Sequence, residues 1–361
     1  MTNQFHRYSN LRRRVLHPVS VIPSTGFPSV YRQAQDLGGS FTRILNGLPE
    51  GSVANFSPSL IKDKDAYLLA WRSQPEPFCF RADMKYFYYK NTPTDVYIGQ
   101  LIGDDSIFGA RKIRSTPHRL SYEDPRLFVA PDGTLQCQFV TSSYATTWDA
   151  SKHTMVRAPK VCVGDVNEFG EVTNCLYPAI GENLTPDKPE KNWCFFSDNE
   201  QLRLLYSTIP LVLKSPGEPD RVIDSSCLTK VTGPHATFNS TAPIKIDDEW
   251  LVFFHWKYMA METAVSRPHL CYHLGAYCLD EKLTRITRMV KEPLFSGSTN
   301  DDLITWTDAV GNAISNQPAC ILPFGCVVDD DELVMSLGIN DSFMGIFRTQ
   351  LFEITTLMDK P

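Results

Sequence analysis

The chain alternates short apolar runs with acidic or glycine-containing turns, and the same unit recurs five times. The first is Ser59-Leu60-Ile61, a Lys62-Asp63-Lys64-Asp65 turn, then Tyr67-Leu68-Leu69-Ala70-Trp71-Arg72. The second runs from Leu127-Phe128-Val129 through Pro131-Asp132-Gly133 to Leu135 and Val140, and the third from Trp193 through Ser197-Asp198-Asn199-Glu200 to Ser207. The fourth turns at Asp247-Asp248-Glu249 and the fifth at Asp329-Asp330-Asp331. β-Branched and aromatic runs bounded by Asp, Asn and Gly are a hairpin pattern. No long stretch keeps the 3.6-residue period of a helix, and 309–316 reads at best as a short turn. The units lie roughly 50 to 80 residues apart, which leaves room for two more strands in each, and four strands repeated around an axis make a propeller blade. The pattern therefore predicts an all-β, five-bladed β-propeller, with a β-sandwich carrying incidental hairpins as the alternative. Residues 46–361 read as the propeller, and 1–45 as a basic arm packing on it, led by His6, Arg7 and Arg12-Arg13-Arg14.

Composition narrows the classes of function. With 42% hydrophobic and 21% charged residues the chain can bury a sizeable core. A formal charge of -6 gives no general attraction to nucleic acid or an anionic membrane, and no window approaches a membrane span. The ten cysteines form no Cys-x-x-Cys pair and mostly sit inside apolar runs, so they read as buried thiols of a reducing compartment, not zinc ligands. A basic start followed by prolines is no signal peptide. These features point to the cytoplasm, with no metal and no resident cofactor. The basic arm is a candidate for phosphate or partner binding, self-association included.

Polar residues recur in phase with the innermost strand of each unit: Asn55 with Arg72, Asp124 with Arg126, Lys191 with Asn192, His255 with Lys257, and Asn340 with Asp341. Buried strands do not otherwise favour polar ends in register, whereas a central funnel needs them. The run Glu123-Asp124-Pro125-Arg126 bears the densest chemistry. Proline is expected to hold Asp124 extended, with Arg126 on the same face of the strand, so a fixed carboxylate would stand beside a guanidinium fork. On spacing alone, a salt-bridged structural turn serves equally well.

Tyr122-Glu123-Asp124-Pro125-Arg126-Leu127-Phe128 resembles the acid-bearing segment of glycoside hydrolase family 130, the β-mannoside phosphorylases and hydrolases. Further similarities follow in order: Asn55-Phe56-Ser57-Pro58 to Arg72, Glu190-Lys191-Asn192-Trp193, Ser240-Thr241-Ala242-Pro243 through His255, and Phe324-Gly325 through Asp341. Together they span about residues 50 to 345. The resemblance implies a five-bladed catalytic propeller with Asp124 as the single general acid, working through a sugar hydroxyl. It implies that Arg72, Arg126, Lys191 and His255 line the subsite for sugar hydroxyls and phosphate, and that Asp341 holds sugar hydroxyls. Glu123, Asn55 and Asn192 complete the candidate binding set, with inorganic phosphate a candidate co-substrate. The chain departs from the family at Leu205-Tyr206-Ser207-Thr208, where an arginine and its phosphate contact are missing; Arg157 and Lys160 are candidates to replace that charge.

The leading expectation is thus an inverting β-mannoside phosphorylase or hydrolase. A glycosyltransferase using a sugar phosphate or nucleotide sugar, and a non-catalytic glycan-binding propeller, stand as alternatives. Trp71, Trp193, Trp250 and Trp256 could stack on sugars or fill the core.

Overall fold

The computed structural model describes residues 15–16, 27–74, 94–113, 120–143, 148–149, 154–155, 160–167, 171–176, 191–198, 201–261, 268–298, 301, 305–306 and 319–361. The basic run at 6–14, Arg157 and the segment 309–316 lie outside them.

All five hairpins form where the pattern places them, and the arrangement is all-β and propeller-like. The first sheet is built in sequence order from Ala54–Asp63, Ala66–Gln74, Asp95–Ile102 and Ser106–Lys112. The second uses Leu120–Val129, Leu135–Ser143, Lys160–Val166 and Val172–Leu176, and the third Cys194–Asp198, Gln201–Thr208, Leu211–Lys214 and Arg221–Ile223. The fourth departs from the expected four strands. Ala236–Asn239 and Ile244–Ile246 both pair with Glu249–Met261, and Pro268–Asp280, Ile286–Val290, Phe295–Ser296 and Met358–Asp359 enlarge it to seven strands. The fifth sheet has Ile321–Asp329, Glu332–Ile339 and Phe343–Gln350, and its outer strand is Ser40–Arg43 from the segment read as an arm. Strands from both ends of the chain therefore share one sheet, which ties the ends together.

Successive sheets pack face against face, and their cores run round in a closed order. Leu60 and Trp71 of the first meet Val334 and Ile346 of the fifth. Ala70 and Ile98 meet Leu127 and Phe139 of the second, and Phe128 and Val140 meet Trp193 and Leu204 of the third. Leu205 and Leu213 then meet Val252 and Tyr277 of the fourth, and Leu251 and Phe253 meet Ile321 and Leu337 of the fifth. Gly325 marks how closely the fifth and first sheets approach, because a Cβ there would lie 2.2 Å from the Leu60 nitrogen. All four tryptophans considered as sugar platforms are buried in these cores.

Among the described residues three short helices, Val30–Asp36, Ser226–Thr232 and Leu351–Thr355, sit outside the sheets, and none was expected from the pattern. The first is fixed by Asp301, whose carboxylate accepts from the Val30 nitrogen at 2.9 Å. Cys137, Cys162, Cys194, Cys227, Cys271, Cys278, Cys320 and Cys326 are buried and form no disulfide. No described helix is long and apolar enough to cross a membrane.

Candidate active site

The innermost strands converge near the common axis, and several are broken there by bulges. Pairing of the second sheet's first two strands shifts between Glu123 and Arg126, and that of the first sheet between Phe56 and Ser59. At these breaks Ser57 has φ 51 and Asp124 φ 51; Asn192, ahead of the third sheet's first strand, has φ 60, and Asn340 and Asp341 have φ 52 and 48. Asp124 is thus left-handed, not extended as the following proline led us to expect. Proline excludes the right-handed helical region for its predecessor, and the extra residue of a bulge takes the left-handed alternative, which Asp and Asn tolerate best. Such backbone strain gathers at functional sites because it aims a side chain that a regular strand could not.

The bulge aims Asp124 at the first sheet. Its Oδ1 accepts from Arg72 Nη1 at 3.1 Å and from the Ser57 hydroxyl at 3.3 Å. The adjacent Glu123 pairs with Lys191 Nζ of the third sheet at 2.7 Å. Burial alone would raise Asp124, but the charges of Arg72, Lys191 and Arg126 outweigh it and hold its carboxyl below the usual range. For Glu123 burial is likewise overcome, by Lys191 and then Arg72. Both stand as carboxylates.

Asp341, at the end of the fifth sheet's second strand, completes a group of three carboxyls around Arg72. Its backbone is fixed by Asn340, whose side chain accepts from the Cys320 nitrogen at 2.8 Å and donates to the Ser298 carbonyl at 2.9 Å. Among the described residues no donor bonds the Asp341 carboxyl. Burial is the main cause lifting it, and Asp124 and Glu123 add to this against the pull of Arg72, so it is pushed up to about 6.

Arg126 lies deeper, only 3% exposed. Its Nη2 donates to the Asn239 carbonyl at 3.2 Å and its guanidinium lies 4.4 Å from the centre of the Phe324 ring. Its Nε and Nη1 are buried with no hydrogen-bond partner. His255 stands beside it in the fourth sheet, with Nδ1 2.7 Å from the Ser240 hydroxyl. Burial, then the charges of Arg126 and Lys257, push His255 down to about 3, so it acts as a neutral hydrogen-bonding ring and not as a cation. Lys257 is lowered by burial and by Lys191, and lies 5.0 Å from the centre of the Phe238 ring.

The structure thus brings Arg72, Glu123, Asp124, Lys191 and Asp341 into one electrostatic group, with Arg126, His255 and Lys257 alongside. Asn55 and Asn192 serve the frame. Asn55 donates to the Ser52 hydroxyl at 3.0 Å and accepts from Trp71 Nε1 at 3.2 Å, while the Asn192 carbonyl accepts from Asn239 at 3.1 Å. Asn239 itself escaped the sequence reading. It is 1% exposed, accepts from the Thr208 hydroxyl at 2.6 Å and donates to the Leu205 carbonyl at 3.1 Å, locking the third sheet to the fourth. A lone Asn at a strand end gave no signal of this. Arg157 lies outside the described residues, and Lys160 is described only in its backbone, opposite Thr141. Lys257 is the further cation that the structure places beside Lys191.

No family model and no curated protein matches the chain. Its fold is similar to that of the β-1,2-mannobiose phosphorylase of Listeria innocua, solved with β-1,2-mannobiose, at a TM-score of 0.52 and 15% identity over 87% of this chain and 94% of that one. It is also similar to a glycosyl hydrolase of Bacteroides ovatus, at 0.55 and 11% over 86% and 94%. A structure from a study of the family 130 mannoside phosphorylases, describing hydrolases that target β-1,2 mannosidic linkages in Candida mannan, matches with the same values. The likeness is one of fold, at 11–15% identity.

Proposed function

We propose that the chain is a carbohydrate-active enzyme of the family 130 type that breaks or forms a β-mannosidic bond, with inversion and with phosphate as the partner of the sugar. In this reading the seven-stranded sheet is the fourth of five blades. The observation that carries it is the charge balance at the axis. Glu123 and Asp124 are each bonded to a cation, Lys191 and Arg72, whereas the buried Arg126 keeps two guanidinium nitrogens without a hydrogen-bond partner and Lys257 adds a further cation. Buried guanidinium nitrogens without partners are costly unless a ligand satisfies them, and a phosphate dianion suits them.

Asp124 would stand at the reacting centre as general acid. Arg72 and Ser57 hold it as a carboxylate in the free site. An incoming phosphate competes for Arg72, and weakening that pair raises the proton affinity of Asp124 when the departing sugar oxygen needs a proton. Neutral His255 offers hydrogen bonds to hydroxyls or phosphate, and no second carboxylate is needed as a base because phosphate is itself the nucleophile.

Thermal unfolding with ligands tests this reading. Mannose together with phosphate is expected to raise Tm, and Arg126→Met to abolish the phosphate-dependent part. Protection by a nucleotide sugar, with none from mannose and phosphate, would replace the phosphorylase with a glycosyltransferase. Protection by mannosides alone, without turnover, would favour a glycan-binding module.

A further inference from the structure

We infer that Lys257 and Tyr272 form a subsite for an anionic sugar, a pyranose bearing a carboxylate or a phosphate ester, on the wall of the funnel. The inference rests on the mannoside reading for the sugar, and on the geometry of the fourth sheet for the charge.

The wall is the long hairpin of that sheet. Glu249–Met261 and Pro268–Asp280 are thirteen residues each and pair along their whole length. Alternate residues share a face, so Leu251, Phe253, His255 and Lys257 point the same way. Leu251 and Phe253 belong to the core shared with the fifth sheet. Past them the same face carries His255, opposite Phe238, and Lys257, opposite Tyr272. Directly opposed residues of antiparallel strands stand side by side. Phe238 accordingly stacks on His255 with ring centroids 5.4 Å apart, and the Tyr272 ring lies 5.8 Å from His255. His255 is buried, whereas Phe238, Lys257 and Tyr272 are half-buried.

Lys257 is the member of this group without an answering charge. Its Nζ lies 5.0 Å from the centre of the Phe238 ring, and it makes no ion pair among the described residues. The charge that bears on it is another cation, Lys191, itself bonded to Glu123 at 2.7 Å beside Asp124. A half-buried ammonium held over a ring and facing a second ammonium is relieved by an anion. The phosphate taken by Arg126 is a separate one. Arg126 lies deep and bonds the Asn239 carbonyl, and Asn239 pairs with Phe254. Lys257 stands three residues farther along that strand, about 10 Å by backbone rise. An anion at Arg126 leaves Lys257 unanswered, and an anionic group on the sugar itself answers it through charge-assisted hydrogen bonds. Tyr272 adds what a bare anion site lacks, an aromatic ring beside the ammonium against which a pyranose packs.

Isothermal titration calorimetry on the full chain tests this with mannuronate, mannose 6-phosphate, mannose and inorganic phosphate. At least one charged sugar is expected to bind about tenfold or more tighter than mannose. Lys257→Met should erase that advantage, Lys257→Arg should keep it, and both should bind inorganic phosphate as wild type does. Tyr272→Ala should weaken the sugars and leave inorganic phosphate unchanged. An advantage for mannuronate alone assigns a carboxylate, and one for mannose 6-phosphate alone a phosphate ester. Equal binding of charged and neutral sugars, or an advantage that survives Lys257→Met, would overturn the inference. Loss of inorganic phosphate binding in Lys257→Met would also overturn it, by placing Lys257 in the phosphate site of Arg126. Binding is read without turnover, so failure to cleave any mannoside would sink the functional reading while the calorimetry still decides the subsite.

Discussion

Replacing Arg72 with methionine keeps most of the buried stem and removes the charge that three carboxyls share. The pair it forms with Asp124 spans 3.1 Å, with side-chain exposures of 8% and 14%. At an effective dielectric near 20 that separation corresponds to about 5 kcal/mol of attraction. Removing one partner of a buried pair costs about 3–5 kcal/mol, because the remaining charge is stranded. The cost must depend on pH. In wild type the lowered Asp124 stabilises the fold above its unfolded value of 3.8, and that contribution is lost only as pH falls through the still lower folded value. Without Arg72, burial dominates and Asp124 is raised, so the variant is penalised increasingly as pH rises. Urea unfolding should show a loss of about 3 kcal/mol or more at pH 8, and a clearly smaller one at pH 4.5. Adding Asp124→Asn to Arg72→Met should recover part of the loss at pH 8, since it removes the stranded charge. A loss of equal size at both pH values, or a double variant as unstable as the sum of the singles, would refute the electrostatic account and leave Arg72 as a packing residue.

Other consequences are testable in the same way. Asp341 is raised in the fold from 3.8 to about 6, so its contribution to stability falls between those values as pH rises. Asp341→Asn should therefore be more stable than wild type at pH 8, by up to about 3 kcal/mol, with the advantage vanishing near pH 4. Gly325→Ala would place a methyl against the Leu60 backbone where the fifth sheet meets the first, and should cost about 3 kcal/mol or more by urea unfolding. Asn239→Ala leaves the Asn192 and Leu205 carbonyls and the Thr208 hydroxyl without their partner, and should cost about 3 kcal/mol.

The hairpins were legible because their evidence is local: an apolar strand, a turn with Asp or Gly, and a second strand lie within some twenty residues. The seven-stranded sheet was not, because Met358–Asp359 and Phe295–Ser296 join it from short distant segments with no periodicity of their own. Nor could the pattern show that Ser40–Arg43 completes the last sheet, since pairing with Phe343–Gln350 links opposite ends of the chain. At the site, the polar residues Arg72, Asp124, Lys191 and Asp341, which recur in phase along the chain, interact electrostatically with one another. Their partners escaped, because the positive φ of Asp124 reverses the direction that alternation along a strand predicts. The hydrogen bonds of Asn55 to Trp71 and Ser52 had no signal in the sequence either, since its place in phase with the funnel says nothing of its partners.

Everything proposed for the site depends on the transformation of a β-mannosidic bond at Asp124. Product analysis tests it most directly: a panel of β-mannosides, each incubated with and without phosphate, for wild type and for Asp124→Asn. Mannose 1-phosphate is expected from wild type only when phosphate is present, and none from the variant. Absence of cleavage for every mannoside in both conditions, or undiminished turnover by Asp124→Asn, would contradict it.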